Sequence, residues 1–134
     1  MKRIVLVADV PWVRNEVHAS LTAPDYELID LDVPSETARL AIERKADAVV
    51  VDLQVGSMGG MAVTRDVRDR AKRNGYGELP VVILLDRAAD GFLAKRAGAA
   101  AWLVKPFTAY EIRTAVEAAL NHEPQVAASS VESE

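Results

Sequence analysis

The sequence predicts a doubly wound α/β domain, a five-stranded parallel sheet with helices on both faces. Three observations carry that expectation. Short continuous apolar runs rich in valine and isoleucine recur along the chain, as strands covered on both faces require. Segments with apolar residues at helical spacing alternate with them, which is the βαβ signature. The right-handed crossover rule then winds five such units into an open sheet. A chain of 134 residues suits one such domain and is too short for two ordinary ones.

Residues 4–8 form the first apolar run, and Pro11 opens a helix with Val13, Val17 and Leu21 along one face. Residues 26–31 read as a second, weaker strand. Pro34-Ser35-Glu36 opens a second helix that carries Ala38, Ala41 and Ile42 inward. Ala48-Val49-Val50-Val51 is the third strand and runs into Asp52. Gly56 to Gly60 is loop, and residues 61–73 make a third helix whose charged outer face reads as solvated surface. Asn74-Gly75-Tyr76-Gly77 stops it. Pro80 precedes a fourth strand over 81–85, and a short helix over about 88–97 is closed by Gly98. Trp102-Leu103-Val104 is the fifth strand, and Thr108 caps a last helix reaching about Asn121. The domain is thus expected over 1–122, with a polar, small-residue tail over 123–134.

Composition excludes several classes. There is no cysteine, so a disulfide scaffold and a thiolate metal site are both ruled out. A net charge of −4 with scattered Lys and Arg leaves no electrostatic footprint for nucleic acid. The first apolar run ends at Asp9, too short for a signal-peptide core or a membrane span, so a soluble cytoplasmic protein is expected. His18 and His122 fall at no strand end and read as surface residues. P-loop, dinucleotide-glycine and nucleophile-elbow patterns are all missing.

In doubly wound sheets ligands bind beyond the carboxyl ends of the strands. The chemistry should therefore lie at Asp9, Asp52, Leu85-Asp86 and Lys105. With the first and third strands adjacent, Asp9 and Asp52 would face one crevice. Two close carboxylates repel, and a hard divalent ion such as Mg²⁺ relieves that cost with oxygen ligands. Lys105 would add a positive point charge able to hold a phosphoryl oxygen. Any one of these charges alone is an ordinary loop residue; three on one edge point to a site.

The stretches Ile4-Val5-Leu6-Val7 leading to Asp9, Val49-Val50-Val51-Asp52-Leu53, Ala97-Gly98-Ala99 and Trp102-Leu103-Val104-Lys105-Pro106-Phe107 resemble the receiver domains of response regulators, over about residues 2–120. The resemblance implies a flavodoxin-like (βα)5 fold with strand order 2-1-3-4-5. It makes Asp52 the phosphoryl acceptor, and gives Mg²⁺ to Asp9, Asp52 and the backbone carbonyl of Gln54. Lys105 would pair with the phosphoryl group, and a histidine kinase or phosphotransfer protein would be the donor. Trp102 falls where the family keeps a rotating aromatic, and reads equally as a half-buried interface residue.

The chain also departs from the family. The usual pair of acids after the first strand is Ala8-Asp9 here, so Mg²⁺ binding should be weak. The Ser or Thr that ends the fourth strand is replaced by Leu85, and residues 79–103 hold no hydroxyl side chain at all. Asp86 follows; it would repel a phosphoryl group, and could either pair with Lys105 or cap the short helix. Val55-Gly56 stands at the family's Met-Pro step, and Gly59-Gly60 replaces its acid-glycine pair, so this loop should be more mobile.

Three functions compete. The first is a stand-alone receiver phosphorylated on Asp52 that signals by protein contact through its fourth helix, fifth strand and fifth helix. The second is a receiver-like binding module whose contacts need no phosphate. The third, a flavin or nucleotide binder, lacks the hydroxyl- or glycine-rich loop that a phosphate site needs after the first strand. The protein is expected to be a monomer or a weak homodimer, with the apolar α-helical face of Ile112, Val116, Ala119 and Leu120 able to support a dimer beyond its core contacts.

Overall fold

The apolar runs become strands and the periodic segments helices in the computed structural model, which describes residues 1–123. In chain order the elements are β1 (Lys2–Val7), α1 (Pro11–Ser20), β2 (Tyr26–Leu31), α2 (Thr37–Glu43), β3 (Ala48–Asp52), α3 (Gly60–Arg73), β4 (Val81–Leu85), α4 (Gly91–Ala97), β5 (Ala101–Val104) and α5 (Ala109–Leu120). The strands form one parallel sheet in the order β2-β1-β3-β4-β5. The expected fold and strand order are both observed. Of the tail expected over 123–134, Glu123 donates its N–H to the Ala118 carbonyl at 2.8 Å, and 124–134 lie outside the described residues.

Alternate residues along each strand feed two cores, because side chains in a strand point to opposite faces. Val5, Val7, Val49, Val51, Ile83 and Leu85 pack with α2, α3 and α4 on one face. Ile4, Leu6, Val50, Val82 and Leu84 pack with α1 and α5 on the other. The central strands β3 and β4 are buried throughout, which accounts for their apolar sequence, broken only by Asp52 at the end of β3. Each such Val, Leu or Ile side chain contributes about 1.5–3 kcal/mol by leaving water.

Several boundaries differ from expectation, each for a physical reason. β1 begins at Lys2 rather than Ile4, because its exposed first residues still pair with Tyr26 and Glu27 of β2. Backbone pairing holds them, which hydropathy does not reveal. Pro34–Glu36 and Ala88–Asp90 are single 3₁₀ turns, so α2 and α4 start three residues later than expected. Thr37 is fully buried with its hydroxyl donating to the Pro34 carbonyl at 2.8 Å, whereas Ile42 is only partly buried.

The helix ends follow their sequence signals. At α5 the Glu111 N–H donates to the Thr108 hydroxyl, and the Thr108 N–H donates to the Glu111 carboxylate, closing a capping box. Gly98 ends α4 in the left-handed region at φ 96°, where an added Cβ would also collide with the Arg68 side chain. The apolar face of α5 makes the core contacts expected of it and leaves little over for a dimer. Ile112, Val116 and Ala119 are buried against the sheet, leaving only the partly buried Leu120.

Candidate functional site

Strand register brings the charges to one edge. Asp52 pairs in register with Leu84, and Leu85 pairs with Val104. The Lys105 N–H donates to the Leu85 carbonyl at 2.9 Å, extending the β4–β5 ladder by one residue. Asp52, Asp86 and Lys105 therefore emerge together from three neighbouring strand ends.

Their side chains meet. Lys105 Nζ donates to Asp52 Oδ1 at 2.5 Å and to Asp86 Oδ1 at 3.1 Å. Asp52 is fully buried, the Lys105 side chain is 13% exposed and that of Asp86 is 37% exposed. A buried carboxylate is tolerable only when paired, and Lys105 supplies that pairing. Burial pushes the Lys105 pKa down, but hydrogen bonds to Asp52 and Asp86, reinforced by their charges, outweigh it and hold the pKa above its ordinary value. The second Asp52 oxygen, Oδ2, is buried with no hydrogen-bond partner. Arg14 Nε is also buried without a partner, but Oδ2 is the unpartnered atom that lies at the ligand edge of the sheet, where a ligand or a reaction would engage it.

Asp86 was open between two readings, and the structure selects the pair with Lys105. It caps no helix: Arg87 and Asp90 stand at the N-cap positions of the following turn and of α4, and neither accepts a side-chain cap bond. Leu85 is fully buried in the α2–α4 core, so no hydroxyl reaches the site from the end of β4. Trp102 is partly buried and lies across the start of α4. An added Cβ on Gly91 would sit 2.8 Å from its Nε1, so that glycine is needed for the indole to fit.

Asp9 is exposed, and its Oδ2 accepts the Gly56 N–H at 3.1 Å. Gly56 has φ 55°, and its Cα lies so close to Pro34 that an added Cβ would come within 2.9 Å of that ring. The β1–α1, β2–α2 and β3–α3 loops thus meet at this glycine. Ala8 is buried, and its carbonyl accepts from Arg14 Nη2 at 2.6 Å. These two contacts were not anticipated. A backbone N–H leaves no sequence signature, although a glycine at the family's proline position restores a donor that proline lacks. Gln54 is exposed with its N–H 3.5 Å from Asp52 Oδ1, too long for more than a weak bond.

The donors suit a hard divalent cation: all are oxygens, and the free Oδ2 of Asp52 is the strongest indication. The set is sparse, because Asp86 is drawn to Lys105 and, among the described residues, no cluster of three or more His, Asp or Glu side chains could hold a metal. His18 bonds Asp30 at 2.9 Å and His122 pairs with Glu78 at 3.2 Å, both exposed. No helix among the described residues is long and apolar enough to cross a membrane.

Comparison with known proteins agrees with the fold. The family model described as the response regulator receiver domain matches residues 4–117. The transcriptional regulatory protein LiaR of Bacillus subtilis is 32% identical over 131 residues, covering 94% of this chain and 59% of LiaR. A LuxR-family two-component response regulator from Aurantimonas sp. superposes with a TM-score of 0.79 at 27% identity, covering 97% of this chain and 92% of that one. The receiver domain of a Pseudomonas aeruginosa sensor histidine kinase, described with a magnesium ion in its active-site cleft, gives 0.76 at 25% identity, covering 90% and 98%. The chain spans about half to three fifths of the length of the curated regulators first matched.

Proposed function

Because the chain belongs to the response regulator receiver family, we propose that it is a signalling module that accepts a phosphoryl group on Asp52 and passes its state on by protein contact. One observation carries the proposal: Asp52 is buried, anchored through Oδ1 by Lys105, and bare at Oδ2. Oδ2 attacks the phosphorus of a phosphohistidine or a small acyl phosphate. The new O–P bond forms as the donor's P–N or P–O bond breaks, and the donor leaves with its electron pair. Lys105 holds Asp52 in place and donates an N–H to a phosphoryl oxygen. Mg²⁺, held by Asp9, Asp52 and the Gln54 carbonyl, would neutralise charge on the transferring group. The likeness to the magnesium-bearing receiver supports that assignment.

The donor is a histidine kinase or phosphotransfer protein, and the output face is that of α4, β5 and α5. Phe92, Leu93 and Tyr110 are exposed there, which supports a protein contact. Incubation with acetyl phosphate and Mg²⁺ should add one phosphoryl group by intact mass, and Asp52→Asn should add none. Labelling of both proteins alike would remove Asp52 from the role.

A second reading, a receiver-like module that binds its partner without phosphate, is favoured by Leu85. The fully buried leucine places an apolar side chain where the family has the hydroxyl that answers phosphorylation. Equal partner affinity in wild type and Asp52→Asn would establish this reading over the first.

A further inference from the structure

We infer that Asp86 is a built-in competitor for the phosphoryl group, holding on Lys105 the place that a phosphoryl oxygen would take. The inference deepens the phosphoacceptor reading and rests on it. Three features of the site lead to it.

The first is the geometry of the ammonium. Lys105 Nζ has three N–H groups, and two are already committed, to Asp52 and to Asp86. Asp86 caps neither the following turn nor α4. It also emerges directly after Leu85, whose register partner Val104 directly precedes Lys105, so its place beside the ammonium is set by the sheet.

The second is the charge balance. Two carboxylates on one ammonium leave the cluster at −1 before any phosphoryl group arrives. A phosphoryl group brings about −1.5 to −2 more, and Asp86 would repel it from close range. Asp52 cannot withdraw, since it is fully buried and becomes the point of attachment. Asp86 is over a third exposed, so it can swing into water at low cost. Entry of the phosphoryl group therefore displaces Asp86 from Lys105.

The third is the lack of an alternative donor. Leu85 is apolar and buried, so the end of β4 contributes no hydroxyl to share the phosphoryl oxygens. Losing part of Lys105 to Asp86 consequently matters more here than it would beside a Ser or Thr. The resting site is stabilised and neutralised in part, and its occupancy by phosphate is lowered. Asp86 acts as a positioning residue that sets how readily Lys105 is released.

The test titrates beryllofluoride, a phosphoryl mimic, into the full chain with Mg²⁺, and measures phosphorylation by acetyl phosphate in parallel. Asp86→Asn should tighten beryllofluoride binding and speed phosphorylation about tenfold, equivalent to about 1.4 kcal/mol. Asp86→Glu should behave as wild type, because the carboxylate is kept. Asp69→Asn, on the exposed outer face of α3, removes the same charge elsewhere and should change neither reading. A tighter Asp86→Asn with wild-type-like Asp86→Glu and Asp69→Asn supports the inference. Equal or weaker binding by Asp86→Asn, in a wild type that still phosphorylates, overturns the inference and leaves the phosphoacceptor reading intact. Failure of every variant to bind or label removes that reading and the inference with it.

Discussion

Replacing Lys105 by methionine tests the ion pair on which the site is built. The stem of the side chain survives and the ammonium is lost. At 2.5 Å the attraction between Lys105 and Asp52 is about 7 kcal/mol at an effective dielectric of 20, most of it offset by the cost of taking both ions out of water. The pair as a whole therefore contributes little. Removing one member is different, because Asp52 is fully buried and would be left charged without a partner. That loss costs about 3–5 kcal/mol, a large share of the 5–15 kcal/mol typical of a domain. Urea unfolding at neutral pH should show it as a lower midpoint with an unchanged slope. The double variant Lys105→Met with Asp52→Asn should recover most of the loss, since no charge is then stranded. The pH dependence has a defined sign. The Lys105 pKa is raised in the folded state, so its contribution is complete below the ordinary value of 10.5 and fades as pH rises through the raised one. A Lys105→Met protein within about 0.5 kcal/mol of wild type, the usual range for an uninvolved surface change, would refute the reasoning.

Gly91→Ala should place a methyl against the Trp102 indole, shift its fluorescence and cost about 1–3 kcal/mol, measured by thermal unfolding. Tyr76→Phe removes the hydroxyl that donates to the Ala46 carbonyl at 2.5 Å and should cost about 1 kcal/mol in urea. Burial raises the Tyr76 pKa, so the benefit holds below about 10 and is lost as pH climbs through the raised value; the gap between the two proteins should close in alkali. Leu85→Thr puts a hydroxyl into a buried apolar site, so it should destabilise by about 1–3 kcal/mol while enlarging the spectral response to beryllofluoride. An unchanged response would mean that the missing hydroxyl does not limit the switch.

Much of the fold was legible because parallel strands covered on both faces write continuous apolar runs. The runs at 48–52 and 81–85 coincide with β3 and β4, and the weaker pattern at 26–31 with the edge strand β2. What hydropathy could not reveal was pairing by polar backbone, which adds Lys2 and Arg3 to β1. The choice between 3₁₀ and α geometry at Pro34 and Ala88 was equally hidden. How much of the α5 stripe is left for an interface is not legible in sequence, because only the sheet beneath it decides which of its residues are covered. The acids at strand ends and the missing hydroxyl at Leu85 could be located from sequence, since strand C-termini define the ligand edge. Sequence left Asp86 between Lys105 and a helix cap, because residue order carries no side-chain direction. The Gly56 N–H on Asp9 could not be located, a contact made by backbone alone.

The most direct measurement is to map the modified residue. The chain would be phosphorylated with acetyl phosphate and Mg²⁺, reduced with borohydride to convert any aspartyl phosphate to homoserine, digested, and sequenced by tandem mass spectrometry. The account expects homoserine at position 52 and at no other aspartate. Homoserine at position 9 or 86 with Asp52 untouched, or none after exhaustive treatment, would contradict it.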